Sequence, residues 1–330
     1  MRSYDYIMKK IFIIGISSFS GASIASYLSK KKIKIYGCYS NYRYINEFLY
    51  NKKKIKTFKI DLTKDTKKLI KLLKRIKPSI ILDHASICMV NESWKYPKKY
   101  FDINVKSRFD IINGLKNENF LKKYIYISTP EIYGSSNKKI KEQSHIYNPS
   151  TPYAASKLSA EINFRLAYNL NKFPVIISRF SNFYGPGQPL HRLIPKVVFS
   201  IKKNFTFPLH GDGKSKRNFI FSDDFCNGIW KIILNGKPGN TYHFSSKKHV
   251  SIKEIIKIIC KLKKTKYQEI VKKTKDRFGK DNIYKLNSDY TKKKLNWTSK
   301  VSLEKGIKET IKFYDIHYKY LSNRSMNFKI

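Results

Sequence analysis

The chain has 330 residues, of which 41% are hydrophobic, an ordinary share for a folded protein that excludes an intrinsically disordered chain. No apolar run reaches the ~18 residues that a membrane span requires, so we expect no membrane partner. The formal net charge of +45 suggests nucleic-acid binding as one hypothesis. However, the basic residues are mostly lysine and are spread along the whole chain, so we expect a solvated basic surface and no specific nucleic-acid partner.

The four cysteines, Cys38, Cys88, Cys226 and Cys260, are scattered and show no metal-ligand spacing. We therefore expect no metal and a reduced, cytoplasmic protein. The apolar run near the N-terminus has no small-residue cleavage site and enters a glycine turn, which favours a first strand over a signal peptide.

The first half of the chain alternates apolar strands with amphipathic helices, which predicts an α/β fold with a doubly wound parallel sheet of the Rossmann type. The predicted strands are KKIFIIG (9–15), KIKIYGC (32–38), KIKTFKIDL (54–62), SIILDHAS (79–86), KKYIYIS (122–128) and FPVIISRF (173–180). The predicted helices cover 21–30, 63–77, 101–116 and 152–170. Ligands of such sheets bind at the carboxyl ends of the strands.

The rhythm changes after residue 180, where loops rich in Gly, Pro and Asp precede two helical segments, 250–264 and 302–314. We predict a dinucleotide-binding domain over 1–180, with a contribution from about 219–235. Residues 181–330 would form mainly a smaller C-terminal α/β substrate lobe, with the substrate between the lobes. The tail, 317–330, has no clear pattern, and we expect it to be loosely held.

The segment GISSFSG, residues 15–21, follows the first predicted strand. Gly15 suits a tight turn, and Gly21 suits close packing of a helix whose N-terminus faces a pyrophosphate. Ser18 stands at the middle position instead of glycine, and an ordinary turn would also explain two glycines at this spacing.

The position after the second strand, where an acid would bind the ribose of NAD, carries Tyr39, and Arg43 follows. A missing acid and a nearby cation favour the 2′-phosphate of NADP, whereas Arg43 could equally be a solvated surface charge. The cofactor is therefore expected to be NAD or NADP.

Tyr153 and Lys157 lie four residues apart in TPYAASK and so share one face of a predicted helix. An ammonium near a phenol lowers the pKa of the phenol, which makes it a useful base. The same spacing recurs elsewhere in the chain, so it is the context of Pro152, small residues and the upstream STPE that singles out this pair.

Seven motifs in order, GxxSxxG, DLT (61–63), STPEIYG (128–134), PYAASK (152–157), RFSNFYGPGQ (179–188), RNFIFSDD (217–224) and DRFGKD (276–281), resemble the extended short-chain dehydrogenase/reductases that modify nucleotide sugars. The resemblance spans about residues 9–315 and is greatest to the nucleotide-sugar 4,6-dehydratases of the dTDP-glucose and GDP-mannose types. It implies a homodimer formed through the helices near 101–116 and 152–170.

The resemblance implies a role for each catalytic residue. Tyr153 would take the proton of the sugar C4 hydroxyl, Lys157 would hold the nicotinamide ribose, and Ser128 or Thr129 would hydrogen-bond the C4 oxygen. Glu131 would remove the C5 proton before water leaves C6.

Many dTDP-glucose dehydratases carry an aspartate before this glutamate, as the acid for the C6 hydroxyl, but here Pro130 takes that place. Either Glu131 handles both proton transfers, or elimination does not occur and the protein is a 4-epimerase or a UDP-glucuronate decarboxylase. Pairing of Glu131 with a lysine is the bland alternative.

The resemblance also assigns binding residues. Those for the cofactor are Gly15, Ser18, Phe19, Ser20, Gly21, Tyr39, Arg43, Asp61, Leu62, His84, Ala85, Tyr153 and Lys157. Those for the substrate are Ser93, Asn182, Arg217 and Arg277. The planar guanidinium groups of the two arginines suit a diphosphate. Asp61 could instead be a turn residue, and His84 is expected to shape the cofactor cleft.

We therefore expect an NAD(P)-dependent nucleotide-sugar 4,6-dehydratase that serves surface-polysaccharide synthesis. An alternative from another class is a catalytically silent protein that binds nucleotides or nucleic acids, to which Ser18, Pro130 and the net charge give support.

Overall fold

The computed structural model describes residues 10–41, 55–276, 281 and 283–328. The strands are β1 (Lys10–Ile14), β2 (Lys34–Tyr39), β3 (Ile55–Lys59), β4 (Ile80–Asp83), β5 (Lys123–Ser128), β6 (Lys139–Ile140), β7 (Val175–Phe180), β8 (Asn182–Tyr184), β9 (Phe207–His210), β10 (Lys216–Phe221), β11 (Thr241–Phe244), β12 (His249–Ser251), β13 (Val271–Thr274) and β14 (Lys285–Leu286).

The α-helices are α1 (Phe19–Ser29), α2 (Thr66–Ile76), α3 (Val90–Lys95), α4 (Pro97–Phe101), α5 (Ser107–Leu115), α6 (Pro152–Asn171), α7 (Leu193–Lys202), α8 (Ser222–Asn235), α9 (Ile252–Leu262), α10 (Tyr267–Ile270), α11 (Asp289–Leu295), α12 (Leu303–Ile316) and α13 (Tyr318–Leu321). The predicted helix at 101–116 is interrupted, because a π-helical turn, Asp102–Lys106, joins α4 to α5. A 3₁₀ turn, Pro130–Tyr133, follows β5.

Seven strands form one parallel sheet in the order β3-β2-β1-β4-β5-β7-β11. The strand order reverses between β1 and β4, which opens a crevice at their carboxyl ends. The predicted Rossmann-type α/β fold is confirmed.

Both faces of this sheet are covered, which explains the continuous apolar runs of its strands. Every residue of β4 and β7 is buried. Helices α1 and α8 pack on one face, and α2, α5 and α6 pack on the other. Helix α2 shows the rule that forms these layers: Leu69, Leu72, Leu73 and Ile76 face the sheet, and its lysines face solvent.

The second half of the chain builds a smaller lobe but also completes the large sheet. The small sheets β12-β10-β8 and β13-β9 and helices α7, α9 and α12 enclose a core of their own, and a third small sheet, β14-β6, packs in a separate cluster with Ile132 and Tyr133. Strand β11 pairs with β7 at the edge of the large sheet, so that sheet takes a strand from beyond the expected 219–235 contribution.

The expectation of a loosely held C-terminal tail is wrong. Helix α13 begins at Tyr318, whose ring packs against Phe199 of α7 at 5.5 Å. Leu321 is fully buried. Two apolar side chains one turn apart sufficed to dock the tail on the lobe, a pattern too short to be recognised as a helix in the sequence. Within the described part of the chain, no helix has the length and apolarity to cross a membrane.

Candidate active site

A glycine turn joins β1 to α1 at the crevice. Gly15 has φ +78°, and a Cβ there would lie 2.7 Å from the Ala85 backbone; a Cβ on Gly21 would lie 2.3 Å from the Gly15 carbonyl oxygen. No other residue fits either position without moving the backbone. Ser18 caps α1 by accepting a hydrogen bond from the Gly21 amide at 3.0 Å. No acid lies in the first turn of α1, so this end of the helix suits an anion.

One large cavity of about 790 Å³ runs from this turn into the cleft between the lobes. All of the predicted cofactor residues that the structure describes line it, apart from Gly21, which packs beneath the turn. They are Gly15, Ser18, Phe19, Ser20, Tyr39, Asp61, Leu62, His84, Ala85, Tyr153 and Lys157. Arg43 lies outside the described residues. The space and the helix end therefore fit a dinucleotide.

Two residues of this cleft have local roles as well. The Asp61 carboxylate accepts hydrogen bonds from the amide and hydroxyl of Thr63, at 2.9 and 2.8 Å, so it is a turn residue that also faces the cavity. His84 is buried beside the glycine turn, and burial lowers its pKa to about 3. At neutral pH its imidazole is uncharged, which suits a wall of the cleft rather than a proton donor.

Tyr153 and Lys157 project from the first two turns of α6 into the same cavity. Thr151 caps this helix by accepting a hydrogen bond from the Ala154 amide, and Pro152 occupies the first helical position, where no amide donor is needed. Spacing of four residues then puts the phenol and the ammonium on one face, as the sequence predicts.

The predicted lowering of the phenol pKa is not found. The pKa of Tyr153 is raised well above its ordinary value, first because the phenol is buried and next because Glu131 lies nearby, while a hydrogen bond with Thr129 acts in the opposite direction. Burial depends on tertiary packing, which the spacing of two residues does not reveal.

The Lys157 ammonium is turned toward the backbone. It donates a hydrogen bond to the Ile127 carbonyl at 2.7 Å and lies 4.1 Å from the centre of the Tyr126 ring. Only 2% of the residue is exposed. Burial and the Arg108 guanidinium lower its pKa to about 7, against the opposing effect of Asp83. Lys157 thus lies between its charged and neutral forms near pH 7.

Ser128 and Thr129, one of which was expected to hold the C4 oxygen, face different neighbours. Ser128 lies beside the Glu161 carboxylate. The Thr129 hydroxyl is hydrogen-bonded with Tyr153 and accepts a bond from the Glu131 amide at 3.3 Å. Both residues line the cavity, but it is Thr129 that contacts the phenol.

The 3₁₀ turn explains why a proline precedes Glu131. Thr129 is the N-cap of that turn, and Pro130 is its first residue, where the missing amide hydrogen costs no hydrogen bond. Glu131 therefore leaves the end of β5 at the start of a fixed turn, and its side chain lines the cavity. Pro130 shapes the turn and has no proton to donate.

The pKa of Glu131 is raised to about 7. Burial is the main cause, the Arg217 guanidinium opposes it, the Asp281 carboxylate adds to it, and Arg192 opposes it more weakly. A carboxyl with this pKa can both take and give a proton at neutral pH.

The far end of the turn is anchored by the Tyr133 hydroxyl. The His243 Nδ1 lies 3.1 Å from the Asn287 carbonyl oxygen, which can only accept, so Nδ1 carries the hydrogen and Nε2 is an acceptor. Tyr133 therefore donates to His243 Nε2, at 2.9 Å, and accepts a hydrogen bond from Arg179. Burial keeps this imidazole neutral by lowering its pKa well below the ordinary value.

The same guanidinium connects the turn to helix α6. Arg179, on β7, is fully buried and donates to both carboxylate oxygens of Glu161, with Nε to Oε1 at 3.0 Å. Glu161 lies one turn beyond Lys157 on α6. A continuous buried network thus fixes the turn that carries Glu131 relative to the helix that carries Tyr153 and Lys157.

Two of the predicted substrate residues meet at the opposite wall. Arg217 Nη2 donates to the Asp281 carbonyl oxygen at 2.5 Å, and its guanidinium lies 4.9 Å from the centre of the Tyr284 ring. The Tyr284 hydroxyl donates to Asn182 Oδ1 at 3.1 Å. Arg217, Asn182 and Asp281 all line the cavity. Arg277 lies outside the described residues.

Ser93 is not brought into the cavity. It is fully buried in α3, and its hydroxyl donates to the Val90 carbonyl oxygen at 2.6 Å. The hydroxyl is thus used within its own helix. Its neighbours Val90 and Asn91 line the cavity instead.

Arg192 is a cavity residue that the sequence analysis missed. Arg192 is the N-cap residue of α7, and its Nη2 donates to Cys88 Sγ at 2.8 Å. Charge interactions reach from Arg192 to Tyr153 and Glu131. An arginine before the helical pattern LIPKVV was the available signal, but nothing local showed that α7 begins at the cleft.

The comparisons agree with this geometry. The sequence model described as GDP-mannose 4,6 dehydratase matches residues 12–310. A dTDP-D-glucose 4,6-dehydratase of Mus musculus is 32% identical over 251 residues, which are 74% of this chain and 70% of that protein. A dTDP-D-glucose 4,6-dehydratase of Dictyostelium discoideum is 29% identical over 374 residues, covering 98% of this chain and 85% of that protein.

A solved structure has the same fold. DesIV, a dTDP-glucose 4,6-dehydratase from Streptomyces venezuelae with NAD and TYD bound, superposes with a TM-score of 0.86. The two sequences are 23% identical, and the superposition covers 94% of this chain and 98% of that one.

Proposed function

Because the chain belongs to the nucleotide-sugar 4,6-dehydratase family of extended short-chain dehydrogenase/reductases, we propose that it converts a nucleotide hexose to the 4-keto-6-deoxy sugar with loss of one water. The observation that carries the proposal is the convergence of Tyr153, Thr129, Lys157 and Glu131 on one cavity that continues to the glycine turn.

The cofactor we propose is an NAD-type dinucleotide, the kind that DesIV binds. It would supply the hydride acceptor for C4 and return the hydride to C6. Gly15 and the N-terminus of α1 would hold its pyrophosphate, and Lys157 would exchange the Ile127 carbonyl for the ribose hydroxyls. Titration with NADH and NADPH in parallel decides whether a 2′-phosphate is accepted.

Each proton has a residue to carry it. Tyr153, as the phenolate, takes the C4 hydroxyl proton while Thr129 orients it, and the positive charge of the bound cofactor would have to lower the pKa that burial raises. The resulting ketone acidifies C5–H, and Glu131, as a carboxylate, removes that proton. Glu131, now a carboxylic acid, gives the same proton to the C6 hydroxyl, which leaves as water. The proton that C5 later regains balances the one that Tyr153 removed.

Glu131 serves both steps because its pKa is about 7. Near neutral pH neither the carboxylate nor the acid is strongly disfavoured, so one group can act as base and then as acid. This supports elimination without the aspartate that Pro130 replaces.

We also propose a homodimer. Ile162, Leu166 and Leu170 form an apolar stripe along α6, and Leu170 is 79% exposed. Phe109 of the adjacent α5 is 54% exposed. A second copy of these two helices would bury the stripe, and a contiguous apolar surface of this kind is typical of such an interface.

A cytoplasmic role in surface-polysaccharide synthesis completes the proposal. All four cysteines are free, which is consistent with a reducing compartment. The role in surface-polysaccharide synthesis is what the resemblance to the family implies.

The test is a product-mass screen with dTDP-, GDP-, CDP- and UDP-hexoses. We expect one of them to give a product lighter by one water. A product of unchanged mass would indicate a 4-epimerase, and loss of carbon dioxide from a UDP-uronate would indicate a decarboxylase. Tight nucleic-acid binding with no turnover would indicate the silent binder.

A further inference from the structure

The C-terminal tail reaches the cavity. Phe328 lines it together with His191, and the two rings meet edge to face with their centres 5.1 Å apart. The sequence shows no motif around Phe328, and none of the seven motifs of the family resemblance includes the tail. The contact could therefore not be predicted from those motifs.

The tail is held firmly enough to place that ring. Lys203 Nζ donates to the Ser322 carbonyl oxygen at 2.5 Å, and Met326 packs against the core of the second lobe. The Tyr314 hydroxyl of α12 donates to the Gln188 carbonyl oxygen, three residues before His191. Helix α12 and the tail thus enclose the segment that leads into α7.

The position of Phe328 assigns it to the substrate end of the cavity. Its partner His191 directly precedes Arg192, whose charge interacts with Glu131 and Tyr153. Gly15, which we assign to the dinucleotide, lines the same cavity from the end of β1. A ring beside His191 would therefore contact the nucleotide sugar rather than the cofactor.

We propose that Phe328 is a substrate-binding residue, which closes one wall of the nucleotide-sugar site and holds the His191–Arg192 segment against it. An aromatic wall suits the planar base or the apolar face of the sugar, both of which are parts of a nucleotide hexose. This inference rests on the proposed function, because it takes the nucleotide sugar as the ligand.

The test uses the full-length protein with Phe328→Ala, Phe328→Trp and the matched control Tyr320→Ala. Tyr320 is an exposed aromatic residue of the same tail that does not line the cavity. We expect Phe328→Ala to raise KM for the nucleotide sugar roughly three- to tenfold, the range of an aromatic contact, and to leave the Kd for NADH unchanged. Phe328→Trp should restore most of the affinity, and Tyr320→Ala should behave as the wild type.

Binding without turnover provides the second readout. The Kd for the intact nucleotide sugar is measured by calorimetry in Tyr153→Phe and in Tyr153→Phe with Phe328→Ala, and we expect the same fold-loss as in KM. An unchanged KM and Kd, or an equal loss of NADH affinity, would overturn the assignment. If the wild type turned over no nucleotide sugar and bound none, the proposed function itself would fail, which is a separate outcome.

Discussion

The Lys157 ammonium donates its hydrogen bond to the backbone carbonyl of Ile127 and not to the phenol of Tyr153. The residue is buried and its pKa is lowered to about 7, so the fold bears a cost for keeping this cation out of water. A ligand that accepts the Lys157 hydrogen bond in place of the Ile127 carbonyl would reduce this cost.

Lys157→Met should therefore raise stability at low pH. The pKa of Lys157 in the folded protein, about 7, lies below the ordinary lysine value. The wild type therefore carries the full free-energy penalty of the buried ammonium below about pH 7. It regains stability as the pH rises from there toward the lysine pKa of the unfolded chain. Each pKa unit corresponds to about 1.4 kcal/mol, against which the lost hydrogen bond must be set.

The measurement is urea unfolding of both proteins between about pH 6 and pH 10. The advantage of the variant should shrink as the pH rises, whereas Lys71→Met, on the exposed face of α2, should show no such trend. A constant difference across this range would contradict the burial argument. Turnover should fall by at least about a hundredfold in Lys157→Met.

Glu131→Gln should stop water loss while some hydride transfer to the dinucleotide remains, because only the second half of the reaction needs this carboxyl. In the wild type, kcat for water loss should fall as the pH drops below about 7, where the Glu131 base becomes protonated. Product mass and the absorbance of the reduced dinucleotide measure the two halves separately.

Glu142→Gln is the matched control. Burial also raises the pKa of Glu142, but its side chain binds Thr291 outside the cavity, so its variant should keep the wild-type pH profile. If the Glu131→Gln variant catalysed the loss of water from the sugar at the wild-type rate, Glu131 would have no part in elimination.

Tyr133→Phe should loosen the turn that presents Glu131. Removing the hydroxyl leaves the His243 Nε2 and the Arg179 Nη1 only their longer contact with each other, 3.4 Å, in a dry interior, at a cost of about 1–3 kcal/mol. Tyr147→Phe is the control, because the Tyr147 hydroxyl accepts only a long bond, 3.4 Å, from Arg179.

Urea unfolding gives the stability change, and the rates of water loss and of hydride transfer give the functional one. A positioning role requires that Tyr133→Phe slow water loss more than hydride transfer. Equal slowing of both rates would mean that the hydroxyl only stabilises the fold.

Leu166→Glu should give monomers. A carboxylate in the centre of the apolar stripe on α6 would be desolvated in a dimer without a partner. Sedimentation velocity measures the change, with Phe205→Glu as the control, since Phe205 is similarly exposed but follows α7 in the other lobe. A wild-type protein that sediments as a monomer at all concentrations would refute the dimer.

The sequence was sufficient where the chemistry depends on local spacing. Gly15, Gly21, Tyr153 and Lys157 are defined by a turn or by one helix face, so their placement follows from the pattern. The interrupted helix after residue 101 was not foreseeable, because a π-helical turn has no marker in composition.

The rest of the site comes from contacts between distant segments. Arg192 and Phe328 reach the cavity only through the packing of α7, α12 and the tail, and no local period signals that. The direction of the Tyr153 pKa was missed for the same reason, since burial by several elements outweighs one favourable neighbour. Ser93 illustrates the opposite error: it was predicted to bind the substrate, but its hydroxyl is used within its own helix and does not reach the cavity.

Strand β11 gives the fold its last consequence. Its partner β7 is buried along its whole length and lies next to the edge of the large sheet. A fragment that ended at residue 180 would leave the backbone N–H and C=O groups along one side of β7 unpaired. Such an exposed edge strand can pair with the edge of another copy and cause aggregation. The two halves of this chain should therefore be expressed together. A fragment that contains only the first half should precipitate and should not bind a dinucleotide.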